Sequence, residues 1–205
     1  MTEFRHFDWS PTELYEPIWI DSYVCVCLEG IPHPRDSFVI RLRQSKVFGT
    51  GGHPATRAIA LKLLNKQLDE GLRVIDFKCG TGLLGIICSM FGCDVLHIDS
   101  DKDAVIEAIE NGALNETIVS IEKSKQIKHI TEADPCDLLV TSQSSVKLFR
   151  EEMPTIHALM KSGGTFMLAG HKPSEHRAVM NILREFFDIE DVEDLQNWPV
   201  ITARK

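Results

Sequence analysis

The chain has 205 residues and a formal net charge of −8, from 22 Lys and Arg against 30 Asp and Glu. That length holds one domain with a large core. Its 43% apolar and 25% charged residues are an ordinary globular composition. The acidic balance and the lack of a basic run argue against direct nucleic-acid binding. No apolar run approaches the roughly 20 residues that span a bilayer. Met1 to His6 carries no signal-peptide core, so a cytoplasmic protein without membrane contact is expected.

Residues 1–45 read as a short β-rich lead-in packed on a main domain, 46–205. Pro11, Pro17, Pro32 and Pro34 interrupt any long helix. Ile18 to Ile20, Tyr23 to Leu28 and Phe38 to Leu42 have the pattern of short strands. From His53 to about Leu68, Ala58, Leu61, Leu64 and Leu68 recur at helical spacing. Strands and helices then alternate. Strands are expected at Val74 to Phe77, Val95 to Asp99, Ile118 to Ile121, Leu138 to Thr141, Gly164 to Ala169, Ile189 to Val192 and Val200 to Ala203. Helices are expected at Leu83 to Phe91, Asp101 to Leu114, Val146 to Met160 and Ser174 to Phe187. In the second of these, Ala104, Val105, Ala108 and Ile109 should face inward. The fold class is α/β: a seven-stranded, mostly parallel Rossmann-like sheet with helices on both faces, its last two strands a terminal hairpin-like pair.

The six cysteines, Cys25, Cys27, Cys79, Cys88, Cys93 and Cys136, form no C-x-x-C pair. Buried reduced thiols are expected, with no metal site. Cys25 and Cys27, two apart in an extended run, should share a face.

The chemistry concentrates where one apolar run ends and another begins. Asp76-Phe77-Lys78-Cys79-Gly80-Thr81-Gly82 reads as strand, glycine turn, helix, the place where an open α/β sheet takes a nucleotide-like cofactor. Gly80-Thr81-Gly82-Leu83-Leu84-Gly85 matches G-x-G-x-x-G in letters, a weak signal alone, and a glycine turn can serve only close packing of helix on strand. The acid before the turn discriminates better. Asp76 can face an ammonium group, which S-adenosylmethionine has and NAD lacks. Asp99, ending the next apolar run, can accept hydrogen bonds from two ribose hydroxyls. It can also cap the following helix, and since Asp101 is a second capping residue the two roles are compatible. His53 beside Pro54 reads as a helix start rather than a general base. His171 is a weaker candidate in the pocket, and Trp198 reads as a core anchor.

These segments carry a resemblance. Phe48-Gly49-Thr50-Gly51-Gly52-His53-Pro54-Ala55-Thr56 resembles the FGTGxHPTT segment of PrmA, the methyltransferase family acting on a large-subunit ribosomal protein. Asp76 to Gly82 resembles its DxGxGxG turn, Asp99-Ser100-Asp101 its DxD, Glu110 to Asn115 its ENAxLN, and Met160 to Gly164 its LKPGG. The resemblance runs from about Ile18 to Lys205. It implies S-adenosylmethionine as cofactor, held by Phe48, Thr50, Gly51, Asp76, Lys78, Gly80, Gly82, Asp99 and Ser100. It also implies N-methylation of a protein amine, the substrate being a ribosomal or other cytoplasmic protein.

Three departures stand out. Lys78 occupies the place of the turn's first glycine, where the expected outcomes are pairing with Asp76, filling the pocket, or meeting the cofactor carboxylate. Ser142 replaces the asparagine expected at the fourth strand's end and is the catalytic-site candidate. The family's N-terminal recognition domain has no counterpart here. A non-catalytic binding module and a small-molecule methyltransferase are therefore alternatives, with a nicotinamide-dependent oxidoreductase behind them.

Overall fold

The computed structural model describes residues 16–66, 68–117, 120–123, 134–142, 146–195 and 198–205. Met1 to His6, Pro11 and Ile118, named above, lie outside these.

Two sheets form. A small one has the order β1 (Ile18–Trp19), β2 (Val24–Leu28), β3 (Phe38–Leu42). After it comes α1 (Pro54–Lys66). The main sheet is built from β4 (Arg73–Phe77), β5 (Asp94–Asp99), β6 (Ser120–Lys123), β7 (Cys136–Thr141), β8 (Met160–Leu168), β9 (Asp188–Leu195) and β10 (Trp198–Arg204). Between them run α2 (Leu83–Met90), α3 (Lys102–Leu114), α4 (Val146–Ala158) and α5 (His176–Arg184).

The main sheet has the order β6-β5-β4-β7-β8-β10-β9. Neighbours from β6 to β8 are parallel, and β10 runs antiparallel to both β8 and β9. The seven expected strands are all present. The chain winds outward from β4 to β6 and then returns to β7 on the other side of β4. The carboxyl ends of β4 and β7 thus flank a topological switch point, where α/β sheets open a crevice.

Each face of the sheet carries its own core. On one, α1 and α2 bury Ile59, Leu63, Leu83 and Ile86 together with Val26, Ile40 and Leu42 of the small sheet. On the other, α4 and α5 bury Phe149, Met153, Ile156, Val179 and Leu183 against Phe77, Phe166 and Ile201.

Side-chain amides tie the small sheet's last strand to the main unit. Asn115 accepts from Arg41 N (2.9 Å) and donates to Arg41 O (2.6 Å), copying a strand's pairing at one residue. Asn111 accepts from Arg43 N (2.7 Å) and donates to Thr81 O (2.9 Å) in the glycine turn. Arg43 also pairs with Glu110. The Glu110-Asn111…Asn115 motif is therefore a clamp joining β3, α3 and the turn.

This clamp corrects the expected inner face of α3. Its buried residues are Ala104, Glu107, Ala108, Asn111 and Gly112, while Ile109 is 47% exposed. Polar contacts, not apolar residues, decide which side turns in. Two boundaries also shift. β8 starts at Met160 because Met160 pairs with Cys136, which ends α4 at Ala158. α5 starts at His176, after a 3-10 turn at Pro173–Glu175. All six cysteines are free and buried, and the Cys25 and Cys27 sulfurs lie 3.9 Å apart on one face.

Candidate active site

The turn after β4 is shaped by backbone that side chains would obstruct. Gly80 (φ +54) and Gly82 (φ +79) are left-handed. A Cβ on Gly80 would sit 2.1 Å from Phe48 O. The Phe48–Gly51 segment lies directly on the turn: Thr81 N donates to Phe48 O (3.0 Å) and Thr81 Oγ1 to Gly49 O (2.8 Å). Gly51 packs against Leu83, and Thr50 beside it is buried. The Phe48 ring lies 5.4 Å from the His53 ring, which meets Trp198 at 4.8 Å. Trp198 also packs on the core. His53 Nδ1 accepts from Ala55 N (3.2 Å), so His53 serves the start of α1.

Two carboxylates face this turn. Asp76 is buried, and its Oδ2 accepts from Gly85 N (2.9 Å). Burial pushes its pKa up to about 7; the Gly85 bond opposes this and the nearby Asp99 charge adds to it. Among the described residues it has no ion-pair partner. Asp99 spans the ends of β4 and β5: Oδ2 accepts from Gly80 N (3.0 Å) and Oδ1 from Asp101 N (2.9 Å). The helix cap is Asp101, which accepts from Asp103 N (3.0 Å). Asp99 is thus free of the capping role, and its remaining lone pairs can accept further donors. Ser100 follows as an exposed bend.

Lys78 has the backbone conformation of the glycine it replaces, φ 57, at a cost of about 1–2 kcal/mol. Its N–H donates to Ile98 O (2.8 Å). Of the three outcomes open for its Nζ, pairing with Asp76 is not observed. It lies 3.5 Å from Glu152 Oε2 on α4 and 5.3 Å over the Phe77 ring. Asp76 faces α2 and Phe77 faces α4, and Lys78 follows Phe77.

Ser142, just past β7, is 7% exposed, and its Oγ accepts from Thr56 Oγ1 (3.3 Å). Thr56 belongs to the first motif but was no site candidate in the sequence, since its partner lies 86 residues on. Glu152 and Asn111 were missed for the same reason, while Gly85, nine residues from Asp76, reads in the sequence only as the last glycine of the G-x-G-x-x-G match. Gly85 makes room for a buried histidine: a Cβ there would lie 2.2 Å from His97 Nε2. His97, the neighbour of Asp76 across β4 and β5, is pushed down to about 4 by burial. His171 is also buried. Its Nε2 lies 2.9 Å from His176 Nδ1, and burial with the His176 charge lowers it to about 4.

The structure therefore brings Phe48, Thr50, Gly51, Gly80, Gly82, Asp76 and Asp99 around one turn. Lys78 contributes backbone there, and Ser142 stands on a neighbouring strand end. Among the described residues no group of His, Cys, Asp and Glu is placed to hold a metal, and no helix is long and apolar enough to cross a membrane.

Known proteins share this fold. The family model described as ribosomal protein L11 methyltransferase (PrmA) matches residues 1–205. A ribosomal protein L11 methyltransferase of Caldicellulosiruptor saccharolyticus is 30% identical over 211 residues, covering 100% of this chain and 68% of the relative. One from Dictyoglomus turgidum is 27% identical over 205 residues, covering 98% and 67%. The chain thus spans about two thirds of their length. Among solved structures, ribosomal protein L11 methylase from Lactobacillus delbrueckii subsp. bulgaricus superposes with a TM-score of 0.80 at 22% identity, over 93% of this chain and 100% of that one. The N-methyltransferase NodS from Bradyrhizobium japonicum, in complex with S-adenosyl-l-homocysteine, gives 0.62 at 16% identity, over 75% and 89%. The fold is that of the Rossmann-like methyltransferases, and the chain belongs to the ribosomal protein L11 methyltransferase (PrmA) family.

Proposed function

We propose that the protein transfers a methyl group from S-adenosylmethionine to an amine nitrogen of a protein, ribosomal protein L11 or another cytoplasmic protein. The observation that carries this reading is Asp76: a buried carboxylate with no ion-pair partner among the described residues, beside the glycine turn at the sheet's switch point. Such a group is completed by an ammonium, and S-adenosylmethionine supplies one along with the electrophilic methyl.

Asp76 holds the methionyl ammonium, directly or through water. The Gly80–Gly82 turn and the Lys78 backbone border the methionyl part. Asp99 and Ser100 meet the ribose, and Phe48, Thr50 and Gly51 wall the pocket. Ser142 Oγ, with one lone pair taken by Thr56, retains one to accept an acceptor N–H. That bond aims the nitrogen lone pair along the line of the S–CH3 bond. Nitrogen gains the methyl, sulfur keeps the bonding pair as thioether, and the ammonium product loses a proton to solvent. Positioning supplies most of the gain.

The test uses the electrostatics of Asp76. An ammonium binds its ionised form, so affinity for S-adenosylhomocysteine should fall as pH drops below about 7, approaching tenfold per pH unit. Asp76→Asn should bind more weakly, with a flat pH profile. Calorimetry across this range checks both. A flat profile for the wild type would remove Asp76 from the site. Labelled methyl incorporation into L11 tests the substrate.

A further inference from the structure

β9 is the outermost strand of the main sheet, and among the described residues no strand pairs with its free edge. An open edge offers backbone N–H and C=O groups to another strand. Here each sheet face beside the edge also carries a cavity. On the α1 side a cavity of about 330 Å³ is lined by Lys62, Met167, Asp191, Glu193 and Thr202. Thr202 is only 6% exposed, and among the described residues its hydroxyl has no hydrogen-bond partner. On the α5 side an open groove of about 590 Å³ is lined by Met180, Phe187, Ile189 and Val192, with Val192 41% exposed.

The strand's alternation sorts these two surfaces. Asp191 and Glu193 both reach Lys62 (2.6 and 3.0 Å), so they share the α1 face. Val192, between them, lies opposite Ile201, which belongs to the α4–α5 core. The eight residues of β9 include five acids: Asp188, Glu190, Asp191, Glu193 and Asp194. Lys62 and Arg204 pair with three of them. Asp188 and Asp194 form no ion pair among the described residues.

We propose that β9 is a docking edge for an extended segment of a basic partner protein, one that alternates lysine or arginine with apolar residues. The segment adds as a further strand. Its basic side chains lie over Asp191, Glu193 and the unpartnered Thr202 hydroxyl, and its apolar ones enter the groove at Val192. Main-chain bonds give affinity, and the alternating pockets give sequence preference. A second copy of this chain is a poor occupant, since it would set five acids against five. The edge lies four strands from β4, roughly 19 Å at ordinary strand spacing. The inference goes beyond the methyl-transfer reading, and its readout is binding alone.

The probe is a fluorescent peptide of alternating lysine and valine, titrated into the whole protein and read by anisotropy. Binding should weaken at least about tenfold when alternate peptide nitrogens are methylated, because the strand bonds are lost. It should weaken by about tenfold in the variant Glu193→Lys, whose half-exposed carboxylate lies beneath the peptide's basic side chains. A glutamate–valine peptide should not bind. Equal binding of the methylated peptide would reduce the contact to charge attraction and overturn the proposal. So would unchanged binding in the charge-reversed variant, checked for folding by its melting temperature, or sedimentation showing that the edge is occupied by a second copy.

Discussion

The glycine turn and the β9 edge belong to one sheet but are held by different physics. At the turn, two backbone segments touch. Phe48 O stands where a Gly80 side chain would be, two hydrogen bonds from Thr81 fix the contact, and Asp99 holds the turn through Gly80 N. At the edge, partly exposed charges pair directly at the surface. Arg204 and Glu190, for example, are 40% and 39% exposed. The first kind of site tolerates almost no added atom. The second tolerates exchange of whole side chains. The proposed cofactor site is of the first kind, and the proposed docking edge is of the second.

The sharpest way to break the comparison is Gly80→Ala. The new Cβ would overlap Phe48 O at 2.1 Å, with φ at +54. Relief requires moving the Phe48–Gly51 segment, since neither atom belongs to a flexible side chain. Left-handed strain and overpacking together should cost about 2–5 kcal/mol, read from the urea midpoint. A loss under about 1 kcal/mol would show that the segment shifts freely. At the edge, Glu190→Gln removes a two-bond contact with Arg204 (2.7 and 3.1 Å). Exposed pairs return little, so the loss should stay within about 1 kcal/mol. A larger loss would mean that the edge, too, is a rigid structure.

The same contrast explains what the sequence made legible. The main strands follow from alternating apolar runs, because burial between two helical layers imposes that pattern along the chain. The turn was legible because glycine types and spacing record backbone approach. What the sequence did not expose are partners set by the third dimension. For Lys78 the sequence offered Asp76, the pocket or the cofactor carboxylate, yet its partner Glu152 is 74 positions on. Ile109 looked like an inner residue of α3, but the helix turns on Asn111 and Glu107 instead. Asn111 and Asn115, one helical turn apart, were legible as a motif, but their backbone partners were not. Their use appears only once β3 lies beside the helix.

Lys78 sits between the two kinds of site, and there the expected net effect is smallest because opposing contributions nearly cancel. Lys78→Gly releases about 1–2 kcal/mol of left-handed strain, less about 0.5–1 kcal/mol for glycine's added unfolded freedom. It also leaves Glu152 without its cation. Burial already raises the Glu152 pKa, and Lys78 is the influence that lowers it. Removing Lys78 raises it further. A carboxyl whose folded pKa exceeds its unfolded value keeps its stabilising contribution at low pH and loses it as pH rises through the folded value. Lys78→Gly should therefore equal or exceed the wild type in stability near about pH 4, in the ordinary range of Glu. It should fall below the wild type towards neutrality, with a change of sign between. Because the side chain points to α4 rather than Asp76, the variant should tighten S-adenosylhomocysteine only modestly, by removing bulk beside the methionyl part. Denaturation at several pH values and one calorimetric titration measure both effects. A difference that stays constant with pH would show that Glu152 does not feel Lys78. Weaker binding in the variant would instead make the lysine side chain a cofactor ligand.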